Sequence, residues 1–398
     1  MKILLVNDYS TPTGGAELLL LGVRDELRKR GHQARLLASS ARPLGADAAA
    51  DYACFGTLSR FRVLVQTANV WAYQRMRSVL AEFQPDVVHV KMFLTQLSPS
   101  ILPLLRNIPC LYHVAWYRPI CPLGTKLLPD KTTCRVRAGA ACYRNRCLPM
   151  RDWLPLMLQM KLLTAWRDVF DLIIANSEAV KDRLAADGFG VAEVVLNGIP
   201  RRPSRPPLTL PPTLAFSGRL VQEKGVDVLL RAFATVRTAV PAARLLLAGD
   251  GPERENLMKL IADLNISSNV SMLGHLGRAE LERRLAPGWI QVVPSLWEEP
   301  FGLVAAEAMM RGTAVIASSS GGLKEVVRDG RTGILVPPGD VGALARAIME
   351  LLDNHERTEQ MGKAGRSVAL SAYTLEAHVE KLIELYQGLC RKKESRAP

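Results

Sequence analysis

The sequence predicts an α/β protein made of two doubly wound, parallel-sheet domains, and three observations carry that prediction. The chain has 398 residues, more than a single core usually accommodates when domains run to roughly 100 to 200 residues. Short apolar runs alternate with segments of helical period, the pattern of strands buried on both faces and joined by helices. A proline-crowded stretch near the middle interrupts this alternation, which then starts again.

Taken in order, Ile3 to Asn7 reads as a strand, Ala16 to Arg30 as an amphipathic helix and Ala34 to Ala38 as the next strand. Further strands are expected at Val87 to Val90, Cys110 to Val114, Leu172 to Ala175 and Val194 to Leu196. Ile199 to Pro212 then gathers Pro200, Pro203, Pro206, Pro207, Pro211 and Pro212 around three arginines without helical period, and reads as a linker. Beyond it, strands are expected at Thr213 to Ser217, Arg244 to Ala248, Val270 to Leu273, Ile290 to Val293, Ala314 to Ala317 and Gly333 to Val336. The expected domains are therefore 1–198, with a cysteine-containing basic insert at about 116–150, and 213–372, joined by a linker at 199–212. A closing helix at 373–398 is expected to pack back toward the first domain.

Composition excludes several classes. Hydrophobic residues make up 48% and charged residues 22% of the chain, which excludes intrinsic disorder. Met1 to Asp8 enters a strand without the basic head and apolar stretch of a signal peptide, so a cytoplasmic protein is expected, with attachment to the cytoplasmic face of the membrane left open. No run reaches the roughly 18 apolar residues of a spanning helix; Trp153 to Phe170 is broken by Gln159, Lys161, Thr164, Arg167 and Asp168. The formal charge is +13, and Arg118 to Arg167 holds ten Lys or Arg against only Asp130 and Asp152. That excess asks for an anionic partner, the alternative being a plain solvated basic face. Without a helix-turn-helix, zinc-finger or RNA-recognition signature, nucleic acid is not expected, whereas an anionic membrane surface or acceptor is.

Ligands of doubly wound sheets lie at the carboxyl ends of strands, so the residues after each strand are the place to look for chemistry. Ser217 to Gly225 places Arg219 and Lys224 there, ahead of a helix, where two cations suit a diphosphate. After Ile290 to Val293 comes Pro294 to Met310, with a Pro-Gly-containing turn and a helix starting near Gly302, whose first amides can bond phosphate or sugar oxygens. Glu307 falls among Ala305, Ala306, Ala308, Met309 and Met310, where a carboxylate needs donors. A ribose diol supplies them, and so does a distant arginine or lysine. Gly14-Gly15 precedes a helix but lacks the G-x-G-x-x-G fingerprint, and Leu36 to Ser39 offers no acid for an NAD ribose, which disfavours a dehydrogenase.

Taken in this order, Gly14-Gly15-Ala16-Glu17, His113, Asn176-Ser177, Asn197-Gly198, Gly218-Arg219-Leu220 to Lys224-Gly225, the Glu299 to Glu307 block, Gly321-Gly322 and Glu325 resemble family 4 of the retaining GT-B glycosyltransferases. The likeness covers nearly the whole chain, and the spacing of Glu299 and Glu307 is its most specific part. It implies the GT-B fold, two Rossmann-like domains facing each other across a cleft. It also implies that Arg219 and Lys224 grip the donor diphosphate and that Glu307 binds the ribose. Glu299, with the amides of Phe301, Gly302 and Leu303, would hold the transferred sugar. The Gly15 amide would face the diphosphate, main chain around Gly274 and His275 would contact the base, and His113 would lie beside the donor sugar. Many relatives place Asp after this histidine; here it is Val114.

The resemblance further implies a nucleotide-diphosphate sugar as co-substrate, no obligatory cofactor, and transfer with retention to a lipid-linked or saccharide acceptor in cell-envelope or polysaccharide biosynthesis. A soluble synthase acting on a sugar phosphate is the alternative within enzymology, and a non-catalytic membrane scaffold the alternative outside it. No D-x-D motif ends a strand, which agrees with Arg219 and Lys224 taking the place of a divalent cation. Cys121, Cys134, Cys142 and Cys147 leave three readings open: a structural zinc site, free thiols, or disulfides.

Overall fold

Lys2–Val6 (β1) shows why the sheets form as they do. Ile3, Leu4, Leu5 and Val6 are all 0% exposed in the computed structural model, and a strand buried on both faces has to lie inside a sheet covered by helices on both sides. The structure describes residues 1–12, 14–42 and 48–394. One unit comprises Met1–Asp130, Cys134–Pro200 and Leu375–Pro398; the other comprises Lys131–Thr133 and Arg201–Thr374.

The first unit carries seven strands: β1, β2 (Gln33–Ser39), β3 (Tyr52–Cys54), β4 (Val87–Val90), β5 (Cys110–Val114), β6 (Leu172–Ala175) and β7 (Glu193–Val194). Their order is β3-β2-β1-β4-β5-β6-β7, and every pair is parallel. The helix Gly15–Lys29 covers one face by burying Leu19, Leu20, Val23 and Leu27. Leu375, Val379, Leu382, Tyr386 and Leu389 of the last helix, Leu375–Glu394, join the same core.

The second unit repeats the plan with β8 (Thr213–Ser217), β9 (Arg244–Ala248), β10 (Val270–Gly274), β11 (Ile290–Val293), β12 (Ala314–Ser318) and β13 (Gly333–Val336). Its order is β10-β9-β8-β11-β12-β13, again parallel throughout. In each sheet the chain starts in the middle and winds outward in both directions, so the strand order reverses between β1 and β4 and between β8 and β11. Crevices at such reversals are where open α/β sheets bind ligands.

Some details differ from expectation. Tyr52–Cys54 pairs as an unanticipated edge strand, and the expected strand at Val194 to Leu196 pairs one residue earlier, at Glu193–Val194. The proline-rich stretch is held against the second unit: the Arg205 guanidinium bonds the Gly312 carbonyl at 3.0 Å and pairs with Glu359 at 3.2 Å. Among the described residues no helix is long and apolar enough to cross a membrane.

Candidate functional site

The reversal between β8 and β11 brings together two residues that lie far apart in sequence. After β8 the chain makes a 3-10 turn at Gln222–Lys224 and enters the helix Val226–Ala239 through Gly225, which is left-handed at φ 64°. A Cβ on Gly225 would stand 2.1 Å from the Pro294 carbonyl oxygen. Only glycine lets the two loops approach this closely. The Leu296 amide bonds the Glu223 carbonyl at 2.8 Å and completes the junction.

Across that junction Lys224 Nζ meets Glu299 Oε1 at 2.5 Å, and the Ser295 hydroxyl donates to the same oxygen at 2.6 Å. Glu299 is 6% exposed. Burial pushes its pKa up, but the Lys224 ammonium and hydrogen bonds from Lys224, Ser295 and Trp297 outweigh that and hold the carboxyl below its ordinary value. Lys224 also lies over the Trp297 ring, 5.5 Å from its centroid. Arg219 follows the same strand but keeps 71% of its side chain exposed, with Glu223 as a loose partner at 3.7 Å.

Beyond Glu299 the chain passes buried Phe301 and left-handed Gly302 into the helix Leu303–Arg311. The first helical bond runs from the Ala306 amide to the Gly302 carbonyl at 3.1 Å, so the amides of Phe301, Gly302 and Leu303 precede it. Glu307 finds its donors within the protein: Arg202 and Arg278 approach Oε1 at 3.3 and 3.4 Å. Arg202 in turn holds Glu282 at 2.8 Å. Of the two kinds of donor weighed for Glu307, the structure thus contains the distant arginines. Gly274, left-handed at φ 68°, ends β10 and accepts from the Gly249 amide at 2.8 Å.

In the first unit, Gly15 opens the helix Gly15–Lys29 and is exposed. His113 lies on β5, wholly buried, with its Nε2 unpartnered. Its Nδ1 is 3.5 Å from the Nζ of Lys91, the first residue after β4. His89 stacks on it at 5.6 Å and His378 lies 5.8 Å away. Desolvation lowers Lys91 to about 7, with Glu17 opposing. Burial, then Lys91, His89 and His378, push His113 well below the ordinary histidine value, so it is neutral. A single lysine after a strand belongs to no motif, which is why sequence reasoning passed over Lys91. Asp8, after β1, accepts from the amides of Thr95, Gln96 and Leu97 and pins the loop after β4.

The zinc reading finds no support. All seven cysteines are free, which also removes disulfides, and among the described residues no group of three or more His, Cys, Asp or Glu can hold a metal ion. The thiols of Cys134 and Cys147 turn to the carbonyls of Val136 and Asn145. Burial raises the pKa of Cys142 and Cys147, and the neighbouring thiols of the same segment raise both further. The basic segment needs correction too. Arg118 is buried, bonded to Gln66, Leu94 and Gln159, and buried Lys126 pairs with Asp187, so neither belongs to a surface patch.

Two family models match. Residues 202–368 match the one described as "Glycosyl transferases group 1", and residues 13–203 match "Glycosyltransferase Family 4". A glycogen synthase of Mycobacterium tuberculosis is 34% identical over 57% of this chain and 56% of its own. A GDP-mannose-dependent alpha-(1-6)-phosphatidylinositol monomannoside mannosyltransferase of Mycolicibacterium smegmatis is 34% identical over 44% of this chain and 48% of its own. The chain thus spans about half the length of these curated relatives. The sucrose-phosphate synthase of Thermosynechococcus elongatus superposes with a TM-score of 0.77 at 23% identity, covering 98% of this chain and 99% of that one. That likeness establishes the fold class as GT-B.

Proposed function

The chain belongs to glycosyltransferase family 4, and from that premise we propose that it is a retaining glycosyltransferase moving a sugar from a nucleotide-diphosphate donor to a lipid-linked or saccharide acceptor. The observation that carries the reading is the Lys224–Glu299 pair at the strand reversal of the second unit: a cation and a buried, ionised carboxylate held where the fold binds ligands. An enzyme of this kind must stabilise negative charge growing on the leaving diphosphate as the bond from the anomeric carbon stretches. Lys224 and exposed Arg219 supply that charge. Glu299 and the amides of Phe301, Gly302 and Leu303 suit sugar hydroxyls. Glu307, steadied on Oε1 by Arg202 and Arg278, offers Oε2 to the ribose. The main chain at Gly274 suits the base.

In the first unit, neutral His113 and the Gly15 amide are assigned to the donor sugar and the diphosphate. In retention of this kind the acceptor oxygen attacks the face the diphosphate leaves, and its proton passes to a diphosphate oxygen. No protein carboxylate is then needed after His113, in keeping with buried Val114. A place in envelope or polysaccharide assembly follows from the proposed acceptor class.

The test is a donor-hydrolysis and transfer screen over UDP-, GDP- and ADP-sugars. One donor should turn over with retained configuration. Lys224→Ala should lower kcat by at least about 100-fold, the scale of losing one oxyanion donor, with less effect on nucleotide affinity. Arg219→Lys should fall short of wild type because a point charge does not replace a guanidinium fork. Near wild-type turnover in both Lys224→Ala and Arg219→Ala would remove the donor-site assignment.

A further inference from the structure

We infer that the first unit docks on an anionic phospholipid bilayer through a defined face, built by the helices Arg62–Thr67 and Met150–Trp166 and by the start of Val70–Phe83. The first two helices are fastened from beneath. The Thr67 hydroxyl bonds the Pro155 carbonyl at 3.0 Å, and buried Arg118 reaches Gln66 and Gln159 at 3.0 and 3.3 Å. Their polar contacts point inward. Both helices bury apolar side chains and also expose others on the outer face, unlike an ordinary surface helix.

On the longer helix, Leu156, Gln159 and Leu163 face the protein. Met150, Leu154 and Leu158 are 52%, 66% and 50% exposed. Spaced by four, these three form a single outer stripe. Phe61 and Leu64 beside the shorter helix are 58% and 62% exposed, and Trp71 at the start of the third is 54% exposed. Isolated exposed leucines mean little, but a cluster of this size on neighbouring helices marks a surface that meets something apolar.

The charges select the occupant. Residues 52–81 contain no acid and four arginines, of which Arg60, Arg62 and Arg77 are exposed and Arg75 lies against the Tyr52 ring. On the longer helix Lys161 is exposed, and exposed Arg151 pairs with Asp152 at 3.8 Å. Arginine and lysine stems lie along apolar surface while their heads reach outward to phosphates, and tryptophan favours the headgroup layer. Apolar residues inserted to headgroup depth, with an excess of exposed cations on the same helices, match a bilayer carrying anionic lipid. This face gives the lipid-linked acceptor of the proposed function a place to be met, and in that sense rests on it. Vesicle binding is nevertheless measured without any sugar transfer.

The experiment is co-sedimentation of the full chain with phosphatidylcholine vesicles, with and without phosphatidylglycerol. Wild type should pellet with the anionic vesicles, less so as salt rises, and weakly with phosphatidylcholine alone. L64E/L154E should bind at least about tenfold more weakly, since each leucine contributes a substantial share of the apolar insertion, while melting as wild type does. Met258→Glu, an equally exposed apolar site on the second unit, should bind like wild type. Donor hydrolysis should be the same in all three, so its absence from wild type would count against the proposed function and not against docking. Docking is overturned if wild type stays in the supernatant at low salt, or if L64E/L154E pellets like wild type. It is equally overturned if the patch instead holds a concentration-dependent dimer that the double variant dissolves while vesicle binding is nil.

Discussion

Lys91 shows how one residue writes itself into the pH behaviour of a whole unit. Lys91 is 2% exposed among His113, His89 and His378, all held neutral by burial, with Glu17 as an opposing acid. Desolvation lowers its pKa from 10.5 to about 7. The native state penalises the protonated form, so between these two values the unfolded chain binds more protons than the folded one. Stability of the first unit therefore rises with pH through that window, and the full cost is present below about 7. Urea unfolding of the first unit should show this rise in wild type and a much flatter profile in Lys91→Met. The variant should be the more stable protein at pH 6, by a margin that closes toward pH 10. Equal slopes would mean that the lysine is not the source.

At the scale of elements, the sequence was most readable where burial on both faces leaves an uninterrupted apolar run, as in β1, β4, β5 and β11, whose positions follow from composition alone. Tyr52–Cys54 was not readable because three residues carry no period, and it pairs only because β2 offers an edge. The Lys224–Glu299 pair was legible as two motifs but not as a contact, since 75 residues separate its members. The arginines that steady Glu307 were invisible for the same reason. Gly225 links element to site. Gly225→Ala combines a left-handed φ with a Cβ against the Pro294 carbonyl, whereas Gly330→Ala meets the φ penalty with nothing within 4 Å. The second should cost about 1 kcal/mol. The first should lower the melting temperature of the second unit further and weaken nucleotide binding, because Lys224 moves with the loop. Calorimetry on both variants checks this, and equal losses would mean that the loops are free to part.

At the scale of the whole molecule, the chain builds the first unit, lends Lys131–Thr133 to the second, passes fully into the second at Arg201 and returns at Leu375. The returning helix is part of the first unit's core. Leu375, Val379, Leu382, Tyr386 and Leu389 are each at most 8% exposed, and the Tyr386 hydroxyl bonds His89 Nδ1 at 2.6 Å. Burying one large apolar side chain stabilises by about 1.5 to 3 kcal/mol, so five of them together rival the roughly 5 to 15 kcal/mol that holds a domain folded. Ending the chain after Thr374 should therefore unfold the first unit and leave the second, whose residues stop there, with its own transition. Calorimetry should show one melting event lost and one kept. Tyr386→Phe keeps the apolar burial and strands the His89 nitrogen, so it should cost only about 1 to 3 kcal/mol, in the first unit alone. If the shortened chain kept both transitions, the helix would be an appendage and the first unit's core would close without it.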